Sequence, residues 1–190
     1  MSDYHAIRIC GFGGQGVVLA GYIIGQAATV HQGLNAVFTQ DYGPEARGGS
    51  CRADVIISDE PVNYPYLEDP TVLVALSQAA YEKYIGDVPA EALVIIDQDL
   101  VTPTDSNGRK PLLMPARRTA EELGRVAVAN VVMLGFLAGA TDIVSPEAMK
   151  QSVLSSVPKG TEKLNTAAFE RGLAFAEEAA EASEAQGAAK

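Results

Sequence analysis

Two short runs carry residue types suited to holding an anion. Gly11-Phe12-Gly13-Gly14-Gln15-Gly16 satisfies the pattern GxGxxG, follows a strand-like run and opens a helix-like one. In that setting the backbone N–H groups at the helix N-terminus face a negative group. The plain alternative is a tight turn that lets helix and strand pack closely, although a turn alone has no use for the Gln15 amide. A dinucleotide site would also need an acid about 20 positions beyond the last glycine to hold a ribose. That count reaches Ala36, and the nearest acid is Asp41.

The second run, from Asp41 to Ser50, frames the opposite charges of Glu45 and Arg47 with Gly43, Pro44, Gly48 and Gly49. Such a loop is rigid without being regular. Arg47 offers a planar fork for carboxylate or phosphate, while an ion pair with Glu45 would do no more than hold the loop's shape. If the strands preceding the two runs are neighbours, their carboxyl ends bring Gln15 and Arg47 to one edge of the sheet, where open α/β folds place ligands. One shared site is the simplest reading.

The elements that would position these runs follow from apolar spacing. Ala6 to Gly11 reads as a strand, and Gly14 to about Gln32 as a helix through Val18, Ile23 and Ala27. Asn35–Asp41 and Ser50–Ser58 read as strands, the second stopped by Asp59, Glu60 and Pro61. Val72–Leu76 and Leu93–Asp97 are continuous apolar runs, which implies burial on both faces, and Gln78–Ile85 between them has room for a short helix. After Leu112–Met114 the chain is mainly helical, over Thr119–Leu123, Ala129–Ala140, Ser145–Ser156 and Thr161 to about Ala182. Alternating strands and helices argue for a mainly parallel sheet. Ser145-Pro146-Glu147 supplies an N-cap, a first-turn proline and an acidic start, and Thr161 is placed to cap the last helix. Asn130, just ahead of Val131, Val132 and Leu134, reads as another N-cap. Gly135 and Gly139, four apart in that apolar helix, suit close packing against another helix or subunit.

Composition narrows the classes of function. The 190 residues carry 14 Lys and Arg against 24 Asp and Glu, a net charge of −10 that repels a polyanion, so no nucleic acid is expected as partner. The uncharged run Val126–Ala140 is too short to span a bilayer and contains Asn130, so no membrane segment is expected. The start of the chain lacks a secretion-signal layout, which points to a cytoplasmic protein. Cys10 and Cys51 are the two cysteines; both fall in strand-like runs and read as small buried hydrophobes. An iron–sulfur cluster generally takes four thiolates, so none, and no other metal site, is expected on this chain. His5 and His31 have no acid or nucleophile at a recognisable spacing.

Taken in order, Gly11 to Gly16, Gly43-Pro44-Glu45-Ala46-Arg47-Gly48-Gly49, Glu122-Leu123-Gly124, Asn130 and Leu134-Gly135 resemble the gamma subunits of 2-oxoacid:ferredoxin oxidoreductases. The resemblance continues through Lys159, Glu162, Asn165 and Gly172 and so covers nearly the whole chain. It implies a complex that oxidatively decarboxylates a 2-oxoacid, transfers the acyl group to the co-substrate coenzyme A and passes electrons to ferredoxin. It implies that thiamine diphosphate, Mg and the iron–sulfur clusters belong to alpha, beta and ferredoxin-like delta subunits, this chain holding no cofactor alone and reaching ferredoxin only indirectly. The isolated chain is then expected to be inactive, and overall likeness leans to 2-oxoglutarate among pyruvate, branched and aryl 2-oxoacids.

The fold expected is a three-layer α/β/α, Rossmann-like domain with a mainly parallel sheet and a helical C-terminal part, a single domain over 1–184 with a frayed tail at 185–190. The residues expected to meet ligand or subunit are Gly11, Gly13, Gly14, Gln15, Gly16, Pro44, Glu45, Arg47, Gly48, Gly49, Asn130, Lys159 and Asn165; a catalytic residue is not identifiable. Two rival readings stand beside this one. The first is a stand-alone nucleotide-binding oxidoreductase, and the second a noncatalytic assembly module.

Overall fold

The computed structural model describes residues 4–42, 49–104 and 109–187. In chain order the elements are β1 (Tyr4–Phe12), α1 (Val17–Gln26) closed by one π turn (Ala27–His31), β2 (Asn35–Tyr42), β3 (Ser50–Ser58), β4 (Val72–Ala75), α2 (Gln78–Tyr84), β5 (Leu93–Asp97), β6 (Leu112–Met114), α3 (Ala116–Glu122), α4 (Ala129–Ala140), α5 (Pro146–Ser156) and α6 (Glu162–Gly187). The helix α6 runs to Gly187, the last described residue.

The six strands form one sheet in the order β2-β3-β1-β4-β5-β6. β1, β4, β5 and β6 pair in parallel, whereas β3 is antiparallel to both of its neighbours, so it alone is reversed. The expected α/β fold with a mainly parallel sheet is therefore present. The premise that the first two strands are neighbours is not, because β3 lies between β1 and β2. The cause is chain length. Residues 43–49 make a connection of hairpin size, and a parallel partner would need a crossover of a dozen or more residues.

Strand alternation divides the apolar residues between two layers. Ile7 and Ile9 of β1, Ala53, Val55 and Ile57 of β3, and Val72 and Val74 of β4 turn toward α1, α4, α5 and α6. Leu73, Ala75, Val94 and Ile96 turn the other way, onto Ala80, Tyr81 and Tyr84 of α2. The two thiols follow the same rule: Cys51 lies in the first layer and Cys10 in the second. They sit on opposite faces and cannot share an ion. On the second face Arg8 of β1 stands directly opposite Asp54 of β3, its Nε and Nη2 donating to the two carboxylate oxygens at 2.8 and 2.9 Å. Burial opposes the Arg8 charge, but the hydrogen bond and the charge of Asp54 leave its pKa above the ordinary value. Breaking such a pair strands a buried charge, at a cost of about 3–5 kcal/mol.

α4 is apolar on every side and has to be covered on every side. Glycine makes the closest of these contacts possible. A Cβ on Gly135 would collide with the Phe169 carbonyl, a Cβ on Gly172 with the Val132 carbonyl, and a Cβ on Gly139 would lie 2.8 Å from the Ala176 Cβ. The backbones of α4 and α6 are thus in contact, as the spacing of Gly135 and Gly139 suggests. At the start of α5, the Ser145 Oγ accepts from the Ala148 N–H at 3.3 Å, the cap read from the sequence.

Two outcomes test this packing. Gly172→Ala in an exposed helix would stabilise by about 1 kcal/mol; here the added methyl meets backbone, and thermal unfolding is expected to show a net loss of about 1–3 kcal/mol. An unchanged or raised midpoint would show that the two helices have room to spare. Burial pushes the Cys10 thiol up to about 12, and the thiolate is the reactive form. Ellman's reagent at pH 8 is therefore expected to modify Cys10 only after denaturant is added.

Candidate functional site

The carboxyl ends of β1, β4 and β5 meet the N-terminal turns of α1 and α3 at one rim of the sheet. After Phe12 the chain turns through Gly14 and Gly16, both left-handed at φ values of 99° and 74°. These are conformations that cost glycine little. Gln15 folds back into its own turn: its Oε1 accepts from the Phe12 N–H at 2.6 Å and its Nε2 donates to the Leu76 carbonyl at 2.7 Å. The Leu76 N–H in turn donates to the Cys10 carbonyl at 2.8 Å. β1 leads to a helix on one face and β4 to a helix on the other, so the Gln15 amide ties the two strands together where their connections part. The turn does use the amide. Gly11 leaves room for it, since a Cβ there would lie 2.6 Å from Gln15 Oε1.

Gly13 and Gly14 face open space, and Gly16 precedes α1 with no side chain capping the first turn and no acid in it. The early N–H groups of α1 are therefore available to a negative group. The Gly13 N–H donates to the Gly49 carbonyl at 3.2 Å, and Phe12 stands opposite Ser50 in the ladder. Reversal of β3 is what returns the second glycine run to the first. Pro44, Glu45, Arg47 and Gly48 lie outside the described residues. On the other side of this seam the Lys83 Nζ donates to the Ser50 Oγ at 2.9 Å.

Asn130 does not cap α4. A short 3-10 turn at Val126–Val128 feeds the helix from one residue earlier, with Val128 in the capping position. Asn130 is buried, and its Nδ2 donates to the Gly16 carbonyl at 3.3 Å. A side chain at Gly16 would run into it. Asn165, also buried, donates to the Thr161 carbonyl and hydroxyl at 2.9 and 3.0 Å. Gly14, Gly16, Asn130 and Asn165 line one cleft of about 190 Å³. Lys159 is exposed in the loop between α5 and α6 and does not line it.

A neighbouring cavity of about 300 Å³ lies across the 3-10 turn, lined by Gly14, Gln15, Leu76, Asp97, Leu100 and Arg117 among others. Sequence reading missed Asp97 and Arg117. Asp97 is buried at the end of β5, with Oδ1 accepting from the Asp99 N–H at 3.1 Å and Oδ2 from the Arg117 N–H at 2.9 Å. Burial raises its pKa against the pull of those two donors. The signal was an acid closing an apolar strand at the ligand-bearing rim. Among the described residues the rim offers backbone N–H groups, amides and the buried Asp97 carboxylate, which suits binding and positioning.

Two features bear on rival chemistry. Asp41 ends β2, two strands and about 10 Å across the sheet from β1, while the strand beside β1 on that side is reversed and ends on the opposite rim. Among the described residues, a ribose held as in a dinucleotide site would find no acid beside the end of β1. The two thiols on opposite faces do not fit a metal cluster. No helix among the described residues is long and apolar enough to cross a membrane.

Comparison with known proteins agrees with this geometry. Residues 6–175 match the family described as pyruvate ferredoxin/flavodoxin oxidoreductase. The chain is 49% identical over 176 residues to the 2-oxoglutarate synthase subunit KorC of Methanocaldococcus jannaschii, covering 90% of this chain and 94% of that protein. Its fold superposes on the gamma subunit of the keto/oxoacid ferredoxin oxidoreductase of Geobacter sulfurreducens with a TM-score of 0.83 and 40% identity, covering 91% and 96% of the two chains. It also shares its fold with part of the 2-oxoglutarate:ferredoxin oxidoreductase of Magnetococcus marinus, solved with 2-oxoglutarate, coenzyme A and succinyl-CoA bound, at a TM-score of 0.80 and 22% identity over 92% of this chain and 31% of that one. With a glycine-built rim, a fold held in common and a family match over residues 6–175, this chain belongs to the pyruvate ferredoxin/flavodoxin oxidoreductase family, as a gamma-type subunit of a 2-oxoacid:ferredoxin oxidoreductase.

Proposed function

We propose that the seam between the Gly13–Gly16 turn and the 43–49 loop is the face this subunit turns toward the catalytic subunits, where it supports their active site and meets the phosphates of coenzyme A. The observation that carries the reading is the Gly13 to Gly49 hydrogen bond, which places the start of one run beside the end of the other. An uncapped helix N-terminus points to the same rim. Gly11, Gln15, Asn130 and Asn165 then act behind the contact surface, holding the turn in shape, while Arg47 supplies the anion contact and Pro44, Glu45 and Gly48 set its loop. Lys159 serves as a separate contact at the α5–α6 loop.

In this reading thiamine diphosphate, Mg and the iron–sulfur clusters reside in the alpha, beta and ferredoxin-like delta subunits, and ferredoxin is reached through them. The chain alone is inactive. The 2-oxoacid is 2-oxoglutarate, a choice supported by the names of relatives that match from end to end. The complex works in the cytoplasm, in keeping with two free thiols that cannot pair with each other.

Arg47→Ala in the assembled complex is expected to raise the Michaelis constant for coenzyme A about tenfold, the effect of losing one charged hydrogen bond, or to weaken assembly by a similar factor. Steady-state kinetics and native mass spectrometry read the two effects separately. If neither changes, the seam is not the working face.

A further inference from the structure

The rim opposite the glycine seam carries a second built surface. It is formed by residues 59–71, which leave β3 beside the start of β1 and enter β4. The segment holds Asp59, Glu60, Glu68 and Asp69 and contains no Lys, Arg or His. It is firmly attached. Leu67 and Val62 pack on Ala6 and Ile56, Arg8 donates to the Leu67 carbonyl at 3.2 Å, and Thr71 exchanges hydrogen bonds with both backbone groups of Ala6. On this base stand three exposed rings. Tyr4, Tyr64 and Tyr66 are 49%, 56% and 64% accessible and lie around one depression. Tyr64 and Tyr66 meet edge to face with centroids 5.5 Å apart.

The rings and the carboxylates of Glu60, Glu68 and Asp69 line one open depression of about 480 Å³, larger than either cavity at the glycine rim. No described cation pairs with these three carboxylates. Aromatic faces beside unneutralised carboxylates recognise Lys and Arg, through the ring quadrupole and the charge together. A second copy of the chain is a poor occupant, because a two-fold contact would set these acids against themselves. A metal ion fits no better, since among the described residues no three His, Cys, Asp or Glu converge.

We infer that this depression is a docking surface for a Lys- or Arg-bearing segment of a neighbouring subunit of the oxidoreductase complex. The inference uses the chain's place in a multi-subunit enzyme and is independent of the glycine seam, which lies at the other end of the strands. It is tested in the complex co-expressed with wild-type or variant chain. Hydrogen exchange of 59–69 is expected to slow on assembly relative to the isolated chain. The double charge reversal Glu68→Lys with Asp69→Lys is expected to weaken assembly at least about tenfold in low salt, with the difference shrinking as salt rises. Tyr66→Ala should weaken it as well, whereas Tyr66→Phe, which keeps the ring, should not. All three substituted side chains are at the surface, and unchanged thermal midpoints verify the fold. Exchange at 59–69 that is identical in the free and assembled chain would overturn the inference, as would assembly indifferent to the charge reversal. So would an isolated chain whose self-association depends on these residues. Because Arg47→Ala tests the proposed glycine seam and not this depression, either surface can fail without the other.

Discussion

The backbone contact between α4 and α6 is the constraint on which the functional rim depends. Apart from Asn130, α4 is an apolar helix packed beside the turn that follows β1, and only glycine at 135, 139 and 172 lets α6 close over its outer side. With the helix seated at that depth, Asn130 in its first turn reaches the Gly16 carbonyl. A larger residue at the crossing would lift the helix and withdraw the amide from the turn. The shape of the Gly13–Gly16 turn is thus governed from the far side of the helical layer.

Gln15 performs the complementary task from within the turn. Its amide accepts from one strand end and donates to another, so β1 and β4 stay together where their connecting helices separate to opposite faces. A hydrophobic side chain there would leave the Phe12 N–H and the Leu76 carbonyl to find other partners. For the Leu76 carbonyl, in a buried residue, going unpaired costs about 1–3 kcal/mol. The parting of connections that makes a crevice in open α/β sheets is here held by a single side chain.

Much of this was legible in the residues. The strand runs at Asn35, Ser50, Val72 and Leu93, the Ser145-Pro146 helix start and the role of Gly135 and Gly139 follow from periodicity and from chemistry local to the chain. The reversal of β3 was written in the short span between Tyr42 and Ser50, a length signal that strand periodicity does not register. Asn130 was misread because a polar residue before an apolar run looks the same whether it caps a helix or lies inside one; the 3-10 turn at 126–128 decides between them and has no pattern of its own. Asp97 was hidden for a similar reason, since an acid at the end of an apolar strand resembles an ordinary strand stop. What joined Asn130 to Gly16, 114 positions apart, was tertiary structure alone.

The paired ends of β2 and β3 have one further consequence. Asp41 and Tyr42 on one side, Cys51 and Arg52 on the other, are locked in register by the ladder, so the two ends of the span they enclose are anchored side by side by backbone bonds, whatever side chains lie between them.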